Sequence, residues 1–239
     1  MTSDLYAEPV FRLAGDQGLM MEFGETISPL IHQRIKAMLF ALDQERLVGV
    51  IEILPAYRSI TLIYDPLVCS FPQLQERLGD LYRNTGEITL PEPRIVELPV
   101  CYGGTFGPDL GFVAKSHQLE EDAVIRLHCQ PDYFIYMLGF SPGFPFLGGL
   151  PEALHTPRLE SPRKKVPAGS VGIANGQTGV YPVESPGGWQ LIGRTPLRLF
   201  DYERSEPFLF AAGNILKFKA IDEKEYWDLA ENLGNSGAS

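Results

Sequence analysis

The sequence predicts an α+β protein in which a small N-terminal α+β sandwich domain precedes a β-barrel or β-sandwich with a C-terminal helix. Residues 1–84 alternate short apolar strands with two amphipathic helices. Residues 137–200 are rich in proline and glycine, yet large aromatic residues such as Phe144 and Trp189 lie between them. Flexible linkers are poor in such residues because they have no core to fill. Tight turns that join short strands of a compact barrel explain the combination.

The N-terminal unit is predicted from its periodicity. Gly15 and Gly18 enclose turn chemistry between two apolar runs, which indicates a hairpin. Ser28 followed by Pro29 is typical of a helix start, with a hydroxyl cap and proline in the first turn. The predicted strands span residues 11–14, 19–23, 47–54 and 60–64, and the predicted helices begin at Pro29 and Pro72. His32 lies near the charged edge of the first predicted helix and is expected at the surface. No catalytic pattern occurs in this unit, so we interpret it as a scaffold or docking domain.

A domain boundary is expected in the polar, proline-containing segment of residues 85–93. It gives an N-terminal domain of residues 1–88 and a barrel domain of residues 89–239. In the second domain we predict a helix over residues 119–129 and a final helix near residues 222–232 that Asp222 caps. The strands predicted for it cover residues 94–100, 133–137, 171–174, 180–183, 189–192, 196–200 and, at the last barrel edge, 215–221.

The overall composition excludes several classes of function. The net charge of −10 over 239 residues argues against nucleic acid and anionic membranes as partners. Three widely spaced cysteines, no export signal and no long apolar run predict a reduced, soluble, cytoplasmic protein. No glycine-rich loop has the spacing of a phosphate-binding motif, and the four histidines lack ligand spacing, so we expect no metal site and no ATPase activity of this chain alone.

His128 is the histidine with the strongest claim to a role. It ends the predicted helix of residues 119–129 and precedes the strand that leads into the glycine-rich stretch. A histidine at a helix C-terminus is favoured there as an imidazolium, which is the simple structural explanation. General acid–base chemistry or contact with a substrate is the alternative, and we carry His128 as the candidate catalytic residue.

Two arginines form the other candidate site. Arg158 and Arg163 occur in the similar tripeptides Thr-Pro-Arg and Ser-Pro-Arg, and two lysines follow directly. In an acidic chain such a cluster attracts a carboxylate or a phosphate, although a solvated run of charge explains it equally well. The Asn-Gly hairpin signal at residues 175–176 brings Ser170 opposite the strand that precedes Tyr181. The side chains of Ser170, Gln177, Thr178 and Tyr181 are candidates to line a polar pocket among the aromatic residues, although turn chemistry explains the Asn and Gly equally well.

Several long motifs carry a resemblance to a known family. They are GFSPGF at residues 139–144, the two Pro-Arg pairs, VPAGSVGIA at residues 166–174, QTGVYP at residues 177–182 and SPGGW at residues 185–189. The sequence resembles the family of 5-oxoprolinase B subunits, also called the KipI family or allophanate hydrolase subunit 1. The resemblance runs over nearly the whole chain and implies that the second domain is a cyclophilin-like β-barrel.

The resemblance also implies partners and a reaction. The B subunit acts in a hetero-oligomer with a homologous barrel protein, the C subunit, and with the A subunit, and the complex opens 5-oxo-L-proline to L-glutamate at the expense of ATP, which is taken with magnesium. The site is expected in a cleft shared between subunits, with substrate or ATP phosphate held by Arg158, Arg163, Ser170, Gln177 and Tyr181. This chain would then be inactive alone.

The resemblance leaves a second function open. Some members of the family inhibit a sporulation histidine kinase by binding to it. An exposed aromatic groove on the barrel suits such a partner, and Phe144, Phe146 and Trp189 are the expected partner contacts.

Overall fold

The computed structural model describes residues 5–85 and 92–236, the last side chain being that of residue 233. The chain separates into two compact units, Met1–Glu92 and Pro93–Ser239. The predicted boundary between residues 88 and 89 lies outside the described residues. Within the described ranges, no helix is long and apolar enough to cross a membrane. All three cysteines are free thiols.

The first unit is a four-stranded antiparallel sheet packed against two helices. The sheet order is β1-β2-β4-β3. Apolar side chains of the strands and of both helices form one core, which includes Leu19, Ile35, Leu62 and Leu78. The elements are β1 (Leu5–Leu13), β2 (Gly18–Gly24), α1 (Pro29–Gln44), β3 (Val50–Pro55), β4 (Ser59–Tyr64) and α2 (Phe71–Asn84).

The helix starts of the first unit follow the chemistry that the sequence predicts. The backbone N–H of Ile31 donates to the Ser28 hydroxyl at 3.3 Å, and proline occupies the first turn of α1. At α2, Ser70 and Gln73 form a capping box. The hairpin between β1 and β2 is also confirmed, with Leu13 opposite Leu19.

His32 corrects one expectation for this unit. Its position near the charged edge of α1 suggested a surface residue, but the side chain is only 1% exposed. Burial, reinforced by the nearby Lys36 charge, lowers the pKa of His32 to about 4. His32 is therefore a neutral core residue at physiological pH.

The second unit is a seven-stranded sheet of order β10-β9-β12-β5-β13-β6-β7. Its two edge strands, β10 and β7, also contact each other, so the sheet nearly closes into a barrel. A two-stranded ribbon of β11 and β8 lies apart from this sheet. The strands are β5 (Ile95–Tyr102), β6 (Tyr133–Leu138), β7 (Pro145–Gly148), β8 (Arg163–Val166), β9 (Ser170–Ala174), β10 (Gln177–Val180), β11 (Ser185–Gly187), β12 (Gln190–Arg194) and β13 (Ile215–Ile221).

The β9–β10 hairpin is confirmed at the predicted position. Ala174 pairs with Gln177, and Asn175 between them has a φ of 52°, which asparagine tolerates better than most residues. Strand β13 differs from expectation, because it lies inside the sheet, parallel to β5 and antiparallel to β6. The predicted strand at residues 196–200 is absent apart from a single bridge at Phe200, and the one at residues 180–183 ends at Val180.

Three helices accompany the barrel, α3 (Leu110–Ser116), α4 (Glu121–Cys129) and α5 (Glu223–Ser236). The sequence predicts α4 and α5 but misses α3, which follows directly on a glycine-rich loop. Asp222 accepts a hydrogen bond from the backbone N–H of Glu225 at 2.8 Å, as its capping role requires. The barrel core is apolar and includes Leu98, Val124, Ile173 and Phe218.

We expect Gly107 to be a position where the barrel tolerates no side chain. A Cβ atom at Gly107 would lie 2.0 Å from the Ile192 carbonyl oxygen, which is backbone and cannot move aside. Gly107→Ala should lower the free energy of unfolding by about 1–3 kcal/mol. Urea unfolding followed by tryptophan fluorescence measures this unit alone, because both tryptophans, Trp189 and Trp227, lie in it.

The matched control is Gly188→Ala. A Cβ atom there would meet its nearest neighbour, a Pro162 side-chain carbon, at an ordinary 3.6 Å. Equal unfolding midpoints for the two variants would contradict the close approach of Gly107 to Ile192.

Candidate functional site

A cavity of about 250 Å³ opens at the end of the barrel where the glycine-rich loops meet. The loop before β7 supplies one wall, the start of β10 and the segment after it supply another, and β11 with the residues that follow completes the rim. We call this cavity the aromatic pocket. Its lining residues are Phe140, Phe144, Phe146, Arg158, Gln177, Tyr181, Pro186, Gly187, Gly188 and Trp189.

Phe144 is the centre of this pocket. Its ring is 4% exposed and makes edge-to-face contacts with four other lining rings, the one with Phe140 being described below. The ring centroids lie 5.3 Å from Phe146, 5.9 Å from Tyr181 and 5.7 Å from Trp189. The three residues predicted to contact a partner therefore lie together, but as the wall of a concavity.

Glycine at two positions makes room for these rings. A Cβ atom on Gly179 would lie 3.0 Å from Trp189 and 3.1 Å from Phe144, and one on Gly187 would lie 2.4 Å from the Tyr181 hydroxyl. Any larger residue at Gly187 would force the Tyr181 ring to move. The frequent glycines of residues 137–200 thus allow strands to approach aromatic rings closely.

The polar groups of the pocket come from Arg158, Gln177 and Tyr181. Arg158 is exposed, Gln177 is half-buried and Tyr181 is buried. Burial raises the pKa of Tyr181, while a hydrogen bond with the Trp189 backbone and the positive charges of Arg158 and Arg163 oppose that rise. The phenol therefore stays neutral, and it is a potential hydrogen-bond donor to a bound anion.

Arg158 provides the positive charge of this pocket. Among the residues that the structure describes, it forms no ion pair with a carboxylate. A guanidinium beside aromatic walls suits a small carboxylate, which it can hold through two parallel hydrogen bonds.

Arg163 has a different position from the one the sequence suggests. It is not among the lining residues, and its Nη2 donates to both Asp109 carboxylate oxygens at 2.7 and 2.8 Å. Its Nη1 donates to the Trp189 carbonyl at 3.1 Å. Of the neighbouring lysines, Lys165 pairs with Glu184 at 3.0 Å and Lys164 is exposed, and neither lines the aromatic pocket. The structure thus commits Arg163 to an internal ion pair.

Ser170 is also separate from the pocket. It is the first residue of β9, only 2% exposed, and it does not belong to the lining. Its carbonyl accepts a hydrogen bond from the Tyr181 backbone N–H at 2.9 Å, so it helps to position Tyr181 directly after the end of β10.

His128 lies fully buried inside the barrel and is not a lining residue of the aromatic pocket. Its ring packs on Phe218 with centroids 4.4 Å apart and on Tyr133 at 5.6 Å. Burial lowers the pKa of His128 to about 3. His128 does lie in the last turn of α4, but its burial disfavours the imidazolium that the helix dipole would stabilise.

The hydrogen bonds of His128 fix its tautomer. The Thr178 hydroxyl donates to the Gly172 carbonyl at 3.0 Å and is 2.8 Å from Nε2, so Nε2–H donates to that hydroxyl. Nδ1 then accepts from the Tyr102 hydroxyl at 2.8 Å. Both ring nitrogens are satisfied within the core, so we interpret His128 as a structural residue that joins α4 to β5 and β10.

The chain matches the model of the carboxyltransferase domain, subdomains C and D, over residues 9–210. It is 46% identical over 226 residues to the B subunit of 5-oxoprolinase from Bacillus subtilis, an overlap that covers 89% of this chain and 92% of the relative. For the B subunit of Escherichia coli O157:H7 the identity is 43% over 217 residues, with 89% and 95% covered. The chain belongs to the family of 5-oxoprolinase B subunits.

Solved structures agree with this fold. The structure of TTHA0988 matches with a TM-score of 0.76 at 39% identity over 86% of this chain, which corresponds to 40% of that chain. The protein PH0987 from Pyrococcus horikoshii matches with a TM-score of 0.55 at 44% identity, covering 91% of this chain and 100% of that one. The urea amidolyase of K. lactis, at 21% identity and a TM-score of 0.75, shares the fold over 94% of this chain and 15% of that chain.

Sequence reasoning missed four lining residues as site residues, Phe140, Pro186, Gly187 and Gly188, and of these only Phe140 has a positive φ. Phe140 lines the aromatic pocket, is 75% exposed and has a φ of 63°. A bulky residue in this conformation costs about 1–3 kcal/mol, which no pattern of hydrophobicity reveals. The available signal was the position of Phe140 between Gly139 and a Ser-Pro-Gly turn.

Within the described residues, no group of three potential ligands could hold a metal ion.

The Arg163–Asp109 pair should stabilise the barrel. The two side chains are 28% and 13% exposed, so removal of one partner leaves a poorly solvated charge. We expect Arg163→Ala to lower the free energy of unfolding by about 1–3 kcal/mol. Urea unfolding of Arg163→Ala, Asp109→Asn and the double variant measures the coupling. Strictly additive losses would contradict a direct interaction.

The stability of the second unit should depend on pH through His128. The unfolded histidine binds a proton below about pH 6.5 and the folded one only near pH 3, so stability is full above 6.5 and is lost as the pH falls toward 3. Between pH 7 and pH 5 we expect a loss of about 2 kcal/mol, measured by tryptophan fluorescence in urea.

Two variants test whether this pH dependence belongs to His128. His128→Gln should be less stable at pH 7 and should lose much less stability on acidification than the wild-type protein, and His128→Asn should behave in the same way because it also lacks the titrating ring. An unchanged slope in His128→Gln would assign the effect to other groups.

Proposed function

We propose that this chain is the B subunit of an ATP-dependent 5-oxoprolinase, active only together with a homologous barrel protein, the C subunit, and with the A subunit. The relatives at 43–46% identity are named as subunits of that enzyme. The observation that carries the proposal is the aromatic pocket, where the Arg158 guanidinium lies on the same lining as a set of aromatic rings packed edge to face. A small cyclic acid presents the complementary pair of a flat ring and a carboxylate.

The residues of the pocket have separate tasks in this proposal. Arg158 binds the carboxylate of 5-oxo-L-proline and so fixes the orientation of the ring. Phe144, Phe146 and Trp189 pack on the ring and exclude water from it. Gln177 and the neutral Tyr181 phenol lie on the same lining and offer polar groups to the substrate. ATP supplies the free energy that opens the stable lactam, with water entering to give L-glutamate, ADP and phosphate.

The pocket alone does not fit ATP. A triphosphate with its magnesium ion is ordinarily held by a cradle of backbone N–H groups, a lysine and a hydroxyl. Among the described lining residues only Arg158 carries a positive charge, and no loop of the sequence has the spacing of such a cradle. We therefore propose that the other proteins of the complex supply most of the ATP site and that this chain supplies part of the substrate site.

The dependence on partners has support from the lengths of the relatives. This chain corresponds to 40% of the TTHA0988 chain and to 14% of the urea amidolyase of Lachancea kluyveri. In those proteins the equivalent of this chain is thus one part of a longer polypeptide. The alternative function, inhibition of a histidine kinase, stays a separate prediction that autophosphorylation assays test.

The experiment is reconstitution of this chain with the C and A subunits, followed by assays of ATP hydrolysis and glutamate formation. We expect turnover of 5-oxoproline only with all three proteins present. A stable three-protein complex that never consumes 5-oxoproline would contradict the proposal.

In the reconstituted complex, Arg158→Ala should raise the KM for 5-oxoproline about 10- to 100-fold, because a charged hydrogen-bonded contact is lost. Arg158→Lys should recover part of that loss. Lys164→Ala is the matched control, since Lys164 is an exposed cation of the same segment that does not line the pocket. Equal effects of Arg158→Ala and Lys164→Ala would indicate general electrostatic attraction and not a binding contact.

A further inference from the structure

Phe140 has a backbone conformation that is unusual for a phenylalanine. The Ser141 N–H donates to the Gly139 carbonyl at 2.7 Å, which closes a three-residue turn with Phe140 at its centre and a φ of 63°. Turns of this kind with a positive φ are rare and strained, and glycine suits them far better than phenylalanine.

The ring of Phe140 gains little from folding. It is 75% exposed, so it buries little apolar area that would offset the strain of the turn. Its anchor is an edge-to-face contact with Phe144, with centroids 5.6 Å apart. A phenylalanine that is both strained and exposed, and that stands at the mouth of a cavity, is placed for contact with something outside the folded chain.

We propose that Phe140 is a specificity-determining residue that packs on the flat ring of a small cyclic amide acid while Arg158 holds its carboxylate. This inference rests on the proposed function and names the group that selects its substrate. Phe140 and Phe144 both line the aromatic pocket, so a ligand ring there meets the face of one and the edge of the other.

The size of the pocket selects the ligand class. Its volume of about 250 Å³ lies below the roughly 300–1,000 Å³ of sites for drug-sized ligands. A single five- or six-membered ring with a carboxylate fits that space, whereas a nucleotide with its sugar and phosphates does not. The net charge of −10 makes a local cation necessary for any anion to remain bound.

The test uses Phe140→Gly in the reconstituted complex. Glycine relieves the strained turn, so the thermal unfolding temperature should stay the same or rise. Loss of the ring should raise the KM for 5-oxoproline about tenfold and leave the KM for ATP unchanged. Phe140→Tyr, which keeps the ring, should behave as wild type. A purely structural role predicts the opposite pattern, with lower stability and an unchanged KM.

Phe208→Ala is the matched control. Phe208 is 43% exposed and shares with Phe140 a second, shallower cavity of about 300 Å³, but it does not line the aromatic pocket. If Phe140 acts by docking another protein of the complex, both variants should weaken assembly, measured as the dissociation constant between this chain and the C subunit. That result would overturn the inference, as would an unchanged KM in Phe140→Gly.

Failure of this inference is distinguishable from failure of the proposed function. A complex that consumes 5-oxoproline with the same KM in wild type and Phe140→Gly retains the function and loses the inference. A complex that consumes no 5-oxoproline overturns both. Because assembly and turnover are measured separately, each result is attributed either to the inference or to the proposed function.

Discussion

The aromatic pocket depends on one ion pair that lies outside it. Asp109 accepts hydrogen bonds from Arg163 and, at 2.6 Å, from the Leu191 backbone N–H, and its own N–H donates to the Leu191 carbonyl at 2.9 Å. Arg163 in turn donates to the Trp189 carbonyl. Hydrogen bonds with Asp109 and Arg163 therefore fix the backbone from Trp189 to Leu191. This backbone positions the Trp189 ring against Phe144 and Tyr181. Because the pair is mostly buried, water competes weakly for these hydrogen bonds and the wall of the pocket keeps its geometry.

This arrangement divides the polar groups of the barrel into two sets. His128, Tyr102 and Thr178 satisfy one another inside the core, where a neutral imidazole with both nitrogens bonded costs little to bury. Arg158 lies at the surface of the pocket without an ion pair in the described part of the chain. The first set fixes the barrel, and the second is free to bind a ligand. The sequence makes His128 a candidate site residue, but the side chain that is placed to bind a ligand is that of Arg158.

Local patterns predicted those parts of the fold that local chemistry determines. The Asn175 turn, the caps at Ser28 and Asp222, and the α+β fold class follow from the residues themselves. Arg158 and Arg163 show the limit of prediction from local sequence. Their tripeptides are similar, but Arg158 lines the pocket and Arg163 forms an internal ion pair. What separates them is Asp109, a partner 54 positions away from Arg163, and only the tertiary fold brings it there. The burial of His32 and the presence of helix α3 were also not predicted. Both depend on packing against elements that are distant in the sequence.

The exposure of the binding groups argues that this chain holds an incomplete site. A guanidinium in contact with water binds a carboxylate weakly, because water screens the charge and solvates both ions, and the same pair becomes much stronger once water is excluded. Phe140 is 75% exposed and Arg158 is exposed, so nothing in the described residues excludes water from the mouth of the pocket. A second protein that covered this mouth without contacting Phe140 would exclude water and so strengthen the contact of Arg158 with a bound carboxylate. In the proposed complex, contact between the Phe140 ring and the ligand then offsets the cost of holding Phe140 in its strained turn.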